Sequence, residues 1–330
     1  MRILTTILLF FPLLLLAQDP PPPSDLSGAE LREWLRDNWY LPWHNDLGYG
    51  PAREAMFGTI DNEGGTLECV YSGFTQPAEE VTFPDPINTE HTVPQSFFNS
   101  QTPMRSDIHH LFPTHMQANG TRGSLPYGEV VDNQADEWLI GSAGSYNESS
   151  SIPGSNIDAY SEIEHNVYFE PREEQKGNTA RAIFYFYTMY ADDVEAAFSD
   201  ISSMGDLNTL YEWHVMDPPD TEEVERNEEI QAAQGNYNPY ISMPELAGTA
   251  WGFTSSLTES ESVCRAEIQG DMLRLPDCMD AQSIAIFDIT GRLVYRSISS
   301  QPFHLESLDQ GLHIITVYSQ RGTSVLRYFR

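Results

Sequence analysis

One run of residues constrains the fold more than any other. Thr179 to Phe198 carries ARAIFYFYTMY in its body, with large apolar and aromatic side chains crowded along it. A helix this rich in apolar groups has little to offer solvent, so the spacing predicts a core helix around which other elements pack. Its aromatic stripe reads as packing rather than as a binding face. Leu31 to Trp39 and Glu222 to Ala233 are the other best helical candidates, and the chain from about Leu26 to Ser256 reads as mostly helical. With 330 residues, 40% of them hydrophobic, there is material for one large domain or two ordinary ones.

The ends of the chain have a different texture. Arg2 is followed by an apolar run from Ile3 to Ala17 and then by polar residues, the pattern of a cleavable export signal over 1–17. The run is too short to span a bilayer, and no later stretch is long and apolar enough, so no transmembrane segment is expected after cleavage. Residues 18–25 are proline-rich and form a stiff leader. Past Ser256, short alternating runs appear at Met272 to Leu275, Ser283 to Phe287, Leu293 to Ser297, Leu312 to Ser319 and Ser324 to Phe329. The expected organisation is a principal domain over 26–255, a linker over 256–262 and a small all-β sandwich over 263–330. The fold class is therefore α+β, mostly helical first and all-β second.

Charge restricts the partners. Against 49 acids stand 17 bases, a net charge of −32, and 16 of the bases are arginine, Lys176 being the lysine. Residues from Glu261 onward hold 8 acids and 7 bases, which leaves 41 acids and 10 bases in the first 260 residues. Such a surface repels polyanions and acidic lipid at long range. The three cysteines show no zinc-finger spacing, which makes structural zinc unexpected. Cys264 and Cys278 can pair in an oxidising compartment, with Cys69 left as a buried thiol.

One window departs from this acidity. Pro86 to Gly128 contains two acids, Glu90 and Asp107, and two bases, Arg105 and Arg122, and four of the nine histidines, His91, His109, His110 and His115, fall within 25 residues of it. On an extended segment Glu90 and His91 point to opposite faces, so one can hold a metal while the other faces a water. Asn119 offers a hard carbonyl oxygen suited to magnesium. An imidazole can take a proton from water, and Arg105 or Arg122 can meet a phosphate oxygen. Asp107 to Asn119 is compatible with a helix, or with one entered through Pro113. These parts suit metal-assisted phosphodiester hydrolysis. Spacing leaves two alternatives open: a zinc site from His109, His110 and His115, or simply packed and capped side chains.

The stretch INTEHTVPQSFF, followed by MRSDIHHLFPTHMQANGTRGSLPYGEV, resembles the bacterial endonuclease I family, secreted nucleases of the His-Me finger (ββα-metal) type. The resemblance continues through AREAMFGTIDN and CVYSG upstream, and ARAIFYFYTMY and LYEWHVMDPPDTEEVERNEEIQAAQGNYNPYISMPEL downstream, covering about Leu31 to Leu246. It implies that His91 is the general base and that Glu90 and Asn119 are metal ligands. Arg122, catalytic, and Arg105 are implied to contact phosphate, and His110 is assigned to substrate. The implied cofactor is Mg2+, with Mn2+ or Ca2+ as substitutes. The implied reaction is single-metal hydrolysis of DNA or RNA without sequence specificity, leaving 5′ phosphates, by a monomer. The run Gln234 to Pro239 and the pair Trp213 and His214 are family markers with structural roles. The rival expectation is a catalytically inactive, acidic surface or adhesion protein on the same scaffold.

The terminal module, IAIFDITGRLVYRS and then LESLDQGLHIITVYSQRGTSVLRYF, resembles the sorting domain read by the type IX secretion machinery of Bacteroidota. The alternative is a carbohydrate- or surface-binding module. With the export signal, the resemblance implies passage through a Gram-negative periplasm and release outside the cell or attachment to its surface.

Overall fold

The computed structural model describes residues 20–78 and 86–253, and in the C-terminal part 267–269, 272–274, 281–288, 293–297, 303–305, 308, 312–319 and 322–329. The expected export signal, the first two leader residues, the 256–262 linker, Cys264 and Cys278 lie outside the described residues. The chain divides into two compact units between Phe253 and Thr254.

In the first unit the helices are α1 (Gly28–Leu35), α2 (Tyr49–Ala55), α3 (Met116–Arg122), α4 (Glu173–Met189), α5 (Leu207–Met216), α6 (Thr221–Gln234), α7 (Pro239–Ser242) and α8 (Leu246–Trp251). The strands are β1 (Thr66–Glu68), β2 (Thr75–Pro77), β3 (Ile87–His91), β4 (Leu111–His115), β5 (Glu137–Ser142), β6 (Ser145–Ser149), β7 (Ser161–Glu164) and β8 (Tyr168–Glu170). They form the antiparallel pairs β1–β2 and β3–β4 and one four-stranded sheet of order β6-β5-β7-β8. The unit is α+β.

The aromatic run is the central helix, as its composition requires: 14 of the 17 residues of α4 are buried. Each large apolar side chain so enclosed contributes about 1.5–3 kcal/mol. Its limits differ from the expected Thr179 to Phe198. The helix starts at Glu173, where Glu173 and Glu174 favour the positive end of the helix dipole. It stops at Met189, because Tyr190 leaves helical geometry at φ −130° and its hydroxyl bonds to the Asp107 carboxylate at 2.6 Å.

Two further expectations are corrected. Asp107 to Asn119 is not one helix: a single tight turn (Ile108–His110) leads into β4, and only Met116 to Arg122 is helical. Pro113 fits a strand here because the residue opposite is Thr89 and its own carbonyl accepts from the Val70 amide at 3.0 Å. The region is also less helical than its periodicity suggests, since it holds the β5–β8 sheet, in which the edge strand SYNES is largely exposed and the other strands bury Trp138, Leu139, Ile163 and Phe169. At Gly235, the left-handed residue (φ 97°) ending α6, a Cβ would collide with the Trp43 carbonyl.

The second unit has strands β9 (Glu267–Gln269), β10 (Met272–Arg274), β11 (Ala281–Asp288), β12 (Leu293–Ser297), β13 (Phe303–His304), β14 (Leu312–Ser319) and β15 (Gly322–Phe329). They form two antiparallel sheets, β13-β10-β9 and β12-β11-β14-β15. Leu273 from the first and Ile284, Ile286, Ile315 and Tyr328 from the second share one apolar cluster.

Candidate active site

The local chain path brings the neutral window together. β3 ends on Glu90 and His91, which face Phe112 and Leu111 across the antiparallel register. β4 runs directly into α3, whose first turn is capped by His115 Nδ1 accepting from the Gln117 amide at 3.3 Å. α3 then lies back against β3. The Asn119 amide nitrogen donates to Asn88 Oδ1 at 2.9 Å and to the Thr89 carbonyl at 3.1 Å. Both partners are acceptors, so the NH2 must face the strand and the carbonyl oxygen must face away from it. Among the described residues no donor reaches that oxygen.

His91 is 4% exposed, and its Nε2 lies 3.0 Å from the Arg105 carbonyl. A carbonyl only accepts, so Nε2 carries the proton and Nδ1 keeps the lone pair. Burial, and then the neighbouring His110, Arg105 and Arg122, lower its pKa to about 3 against the pull of the carbonyl. The ring is neutral at ordinary pH. Tyr49 packs on it at 5.6 Å between ring centroids, and His110 meets it edge-on at 5.6 Å.

Glu90 is buried beside His91. Its Oε1 accepts from the Tyr71 hydroxyl at 3.0 Å and pairs with Arg122 Nη1 at 3.0 Å. Burial pushes its carboxyl upward, and Arg122 and the Tyr71 hydroxyl push it back.

Two residues expected to contact substrate are buried in this structure. Arg122 is 1% exposed, and besides Glu90 its guanidinium donates to the carbonyls of Thr92 at 2.8 Å, His91 at 3.3 Å and Gly123 at 3.3 Å. In this arrangement its guanidinium faces protein acceptors on several sides. His110 is fully buried, with Nε2 donating to the Met104 carbonyl at 2.6 Å, a bond that holds the loop. Arg105 is different. Its guanidinium stacks over Tyr49, 4.4 Å from the ring centroid, and has no carboxylate or carbonyl partner among the described residues. Every other described base of the first unit has a carboxylate, carbonyl or hydroxyl to bond.

The three-histidine zinc alternative does not fit. His109 Nε2 bonds the Asn236 carbonyl at 2.9 Å, His110 bonds Met104, and His115 caps α3. Among the described residues no group of three or more His, Cys, Asp or Glu gathers around one point. The donor set at β3 and α3 is a carboxylate and an amide oxygen, hard ligands few in number. That suits a magnesium-like ion that keeps most of its waters.

A model of the endonuclease I family matches residues 60–245, more than half of the chain. The chain belongs to the endonuclease I family. Among curated relatives it is 33% identical over 176 residues to an extracellular ribonuclease of Bacillus amyloliquefaciens, covering 50% of this chain and 53% of that protein. It is 31% identical over 176 residues to an extracellular ribonuclease of Bacillus subtilis (strain 168), covering 50% and 54%. The chain thus spans about half the length of these relatives.

In this endonuclease I member, several neighbours of the site escaped sequence reasoning. Tyr71 and Tyr127 sit beneath Glu90 and Arg122, with hydroxyls 2.6 Å apart and the Arg122 guanidinium 4.6 Å from the Tyr127 ring. Tyr49 and Arg53 flank the histidine strand, Arg53 Nε donating to Thr89 Oγ1 at 3.1 Å. Tyr71 and Arg53 belong to the CVYSG and AREAMF segments, so their presence was visible but their destination was not. The Gln234 to Pro239 run is structural: Gln234 Nε2 donates to Asp107 at 2.7 Å, Asn236 to the Tyr185 hydroxyl at 2.8 Å, and Asn238 caps α7 at 2.9 Å.

Proposed function

We propose that the protein is a secreted, divalent-metal-dependent endonuclease that hydrolyses phosphodiester bonds of DNA and RNA without reading sequence. The observation that carries this reading is the anchoring of Asn119 to Asn88 and Thr89, which sets its amide oxygen beside a strand ending in Glu90 and His91. Glu90 and Asn119 would hold the ion. When bound, magnesium would supply Lewis-acid stabilisation of negative charge on the phosphate and the departing 3′ oxygen.

The chain's own residues do the rest. His91 Nδ1 accepts a proton from water, and the Arg105 carbonyl steadies the ring as positive charge develops on it. The hydroxide attacks phosphorus, the bond to the 3′ oxygen breaks, and that oxygen takes a proton from solvent water, leaving a 5′ phosphate and a 3′ hydroxyl. Arg105, held on Tyr49, meets the phosphate. Phosphate contacts position a strand without reading bases, which supports a lack of sequence preference. The relatives act outside the cell by name, and the amino-terminal and carboxy-terminal segments suit export and type IX sorting; the enzyme works as a monomer.

The test is hydrolysis of a supercoiled plasmid and of a structured RNA by the full chain, with magnesium and with EDTA. Cleavage that EDTA abolishes, and that Glu90→Gln and Asn119→Ala each lose, is the expected result. An inactive adhesion scaffold shows no cleavage under either condition.

A further inference from the structure

We propose that Arg122, Tyr71 and Tyr127 form a clamp on one oxygen of Glu90 that presets the other oxygen to bind a divalent cation. The inference rests on the metal-dependent reading above and adds to it the residues that position the ligand.

The clamp converges on a single atom. Arg122 Nη1 and the Tyr71 hydroxyl each lie 3.0 Å from Glu90 Oε1. The Tyr71 hydroxyl is itself held by the Tyr127 hydroxyl at 2.6 Å, and the Tyr127 ring carries the Arg122 guanidinium on its face at 4.6 Å. Arg122 is fixed in turn by the backbone it serves, with Nη2 2.8 Å from the Thr92 carbonyl and Nη1 3.3 Å from the His91 carbonyl. The Tyr127 hydroxyl and the His91 backbone amide also face this carboxylate, so it cannot swing, and the clamp assigns Oε2 to a cation.

The arrangement also answers a cost. Glu90 is 2% exposed, and a carboxylate so enclosed is expensive to keep charged unless a cation and hydrogen-bond donors face it. Arg122 supplies the charge from within, on the same short helix as Asn119. The pair therefore holds the ligand in place before any ion arrives, and spares the ion the cost of ordering it. Arg122 is a positioning residue acting through Glu90.

The experiment measures Mn2+ binding to the metal-stripped full chain by electron paramagnetic resonance of the free ion, alongside thermal unfolding. Tyr71→Phe and Arg122→Lys are compared with wild type, and Glu90→Gln marks the site. Loss of an outer-shell partner of this kind weakens metal binding roughly 10–100-fold. The expected result is that both variants raise the Mn2+ Kd by about tenfold or more, with the nucleic-acid KM at saturating metal unchanged. Should Arg122→Lys fail to fold, Tyr71→Phe decides. Mn2+ affinity within about twofold of wild type in the folded variants, whether or not their Tm falls, overturns the clamp; so does a raised nucleic-acid KM with Mn2+ affinity intact, which is the signature of a phosphate contact. Identical Mn2+ binding by wild type and Glu90→Gln overturns the metal reading itself, and the clamp with it.

Discussion

The carbonyl oxygen of Arg105 lies 3.0 Å from Nε2 of His91. This one contact selects the tautomer of the imidazole and so decides which nitrogen can act as a base. The loop that supplies it is pinned at Asp107, whose carboxylate accepts from the Tyr185 hydroxyl at 2.7 Å, the Tyr190 hydroxyl at 2.6 Å and Gln234 at 2.7 Å. The central helix and α6 thus hold the backbone group that holds the histidine.

Replacing the base tests the assignment of Nδ1. His91→Ala is expected to lower kcat by about 10² to 10⁴ while leaving the circular dichroism spectrum and the Mn2+ affinity unchanged. Full retention of plasmid cleavage would falsify the assignment.

Removing the loop anchor should cost stability. Asp107→Ala leaves two tyrosine hydroxyls and the Gln234 amide without their acceptor, and each buried donor so stranded costs about 1–3 kcal/mol. Burial pushes the Asp107 carboxyl up, but His44, His109, His110 and the Gln234 amide hold it well below the usual range. A depressed native pKa contributes stability above about pH 4 that is lost as the pH falls further. Urea melts of wild type and Asp107→Ala at neutral and acid pH measure both effects; a shift in midpoint of no more than experimental error at neutral pH rejects the anchor.

Glu162 should work with the opposite sign. It stands directly across from Glu170 on the paired strands β7 and β8, and Lys176 is 2.7 Å from Glu170. Burial first, then Glu170 and Asp132, raise the Glu162 pKa to about 8. The native state therefore holds this proton more tightly than the unfolded chain does. Its contribution to stability is full below about pH 4 and is lost as the pH rises through the native value. Tm is expected to fall between about pH 5 and about pH 8, and Glu162→Gln is expected to flatten that fall and to raise Tm at the alkaline end. A pH–Tm curve identical to wild type would count against it.

Salt should act on the proposed activity differently than on that of a basic nuclease. The first unit's acids repel a polyanion, and in the proposed reading attraction comes from the ion and from Arg105. Since screening shortens the reach of charge from about 30 Å at 0.01 M to about 10 Å at 0.1 M salt, initial rates should hold or rise over that range. A steep monotonic loss, as for a protein that neutralises many phosphates, would show a cationic surface at work.

What could be read along the chain is what depends on near neighbours. ARAIFYFYTMY announces a buried helix because its own side chains leave it no solvent face, and the alternation in Leu293 to Ser297 and Leu312 to Ser319 announces strands for the same local reason. The limits of α4, the strand at Leu111 to His115 and the β5–β8 sheet were less legible, because pairing across space overrode local preference there. The EH pair and the NGTR segment mark the candidate site by residue type alone, and charge marks the window as the neutral part of an acidic chain.

Roles were decided elsewhere. Arg122 sits 32 positions from Glu90, Tyr127 sits 56 from Tyr71, and Asp107 sits 83 from Tyr190, yet each pair is within hydrogen-bond reach. No periodicity encodes such meetings. The amino-acid sequence alone determined which titratable and polar residue types gather in the neutral window and where along the chain that window lies. Tertiary structure decided that Arg122 is buried against Glu90, that Arg105 stacks over Tyr49, and which nitrogen of His91 bonds the Arg105 carbonyl. The reason is physical: burial and the partner across a contact set what a charged or tautomeric group can do, and both exist only once distant segments have packed.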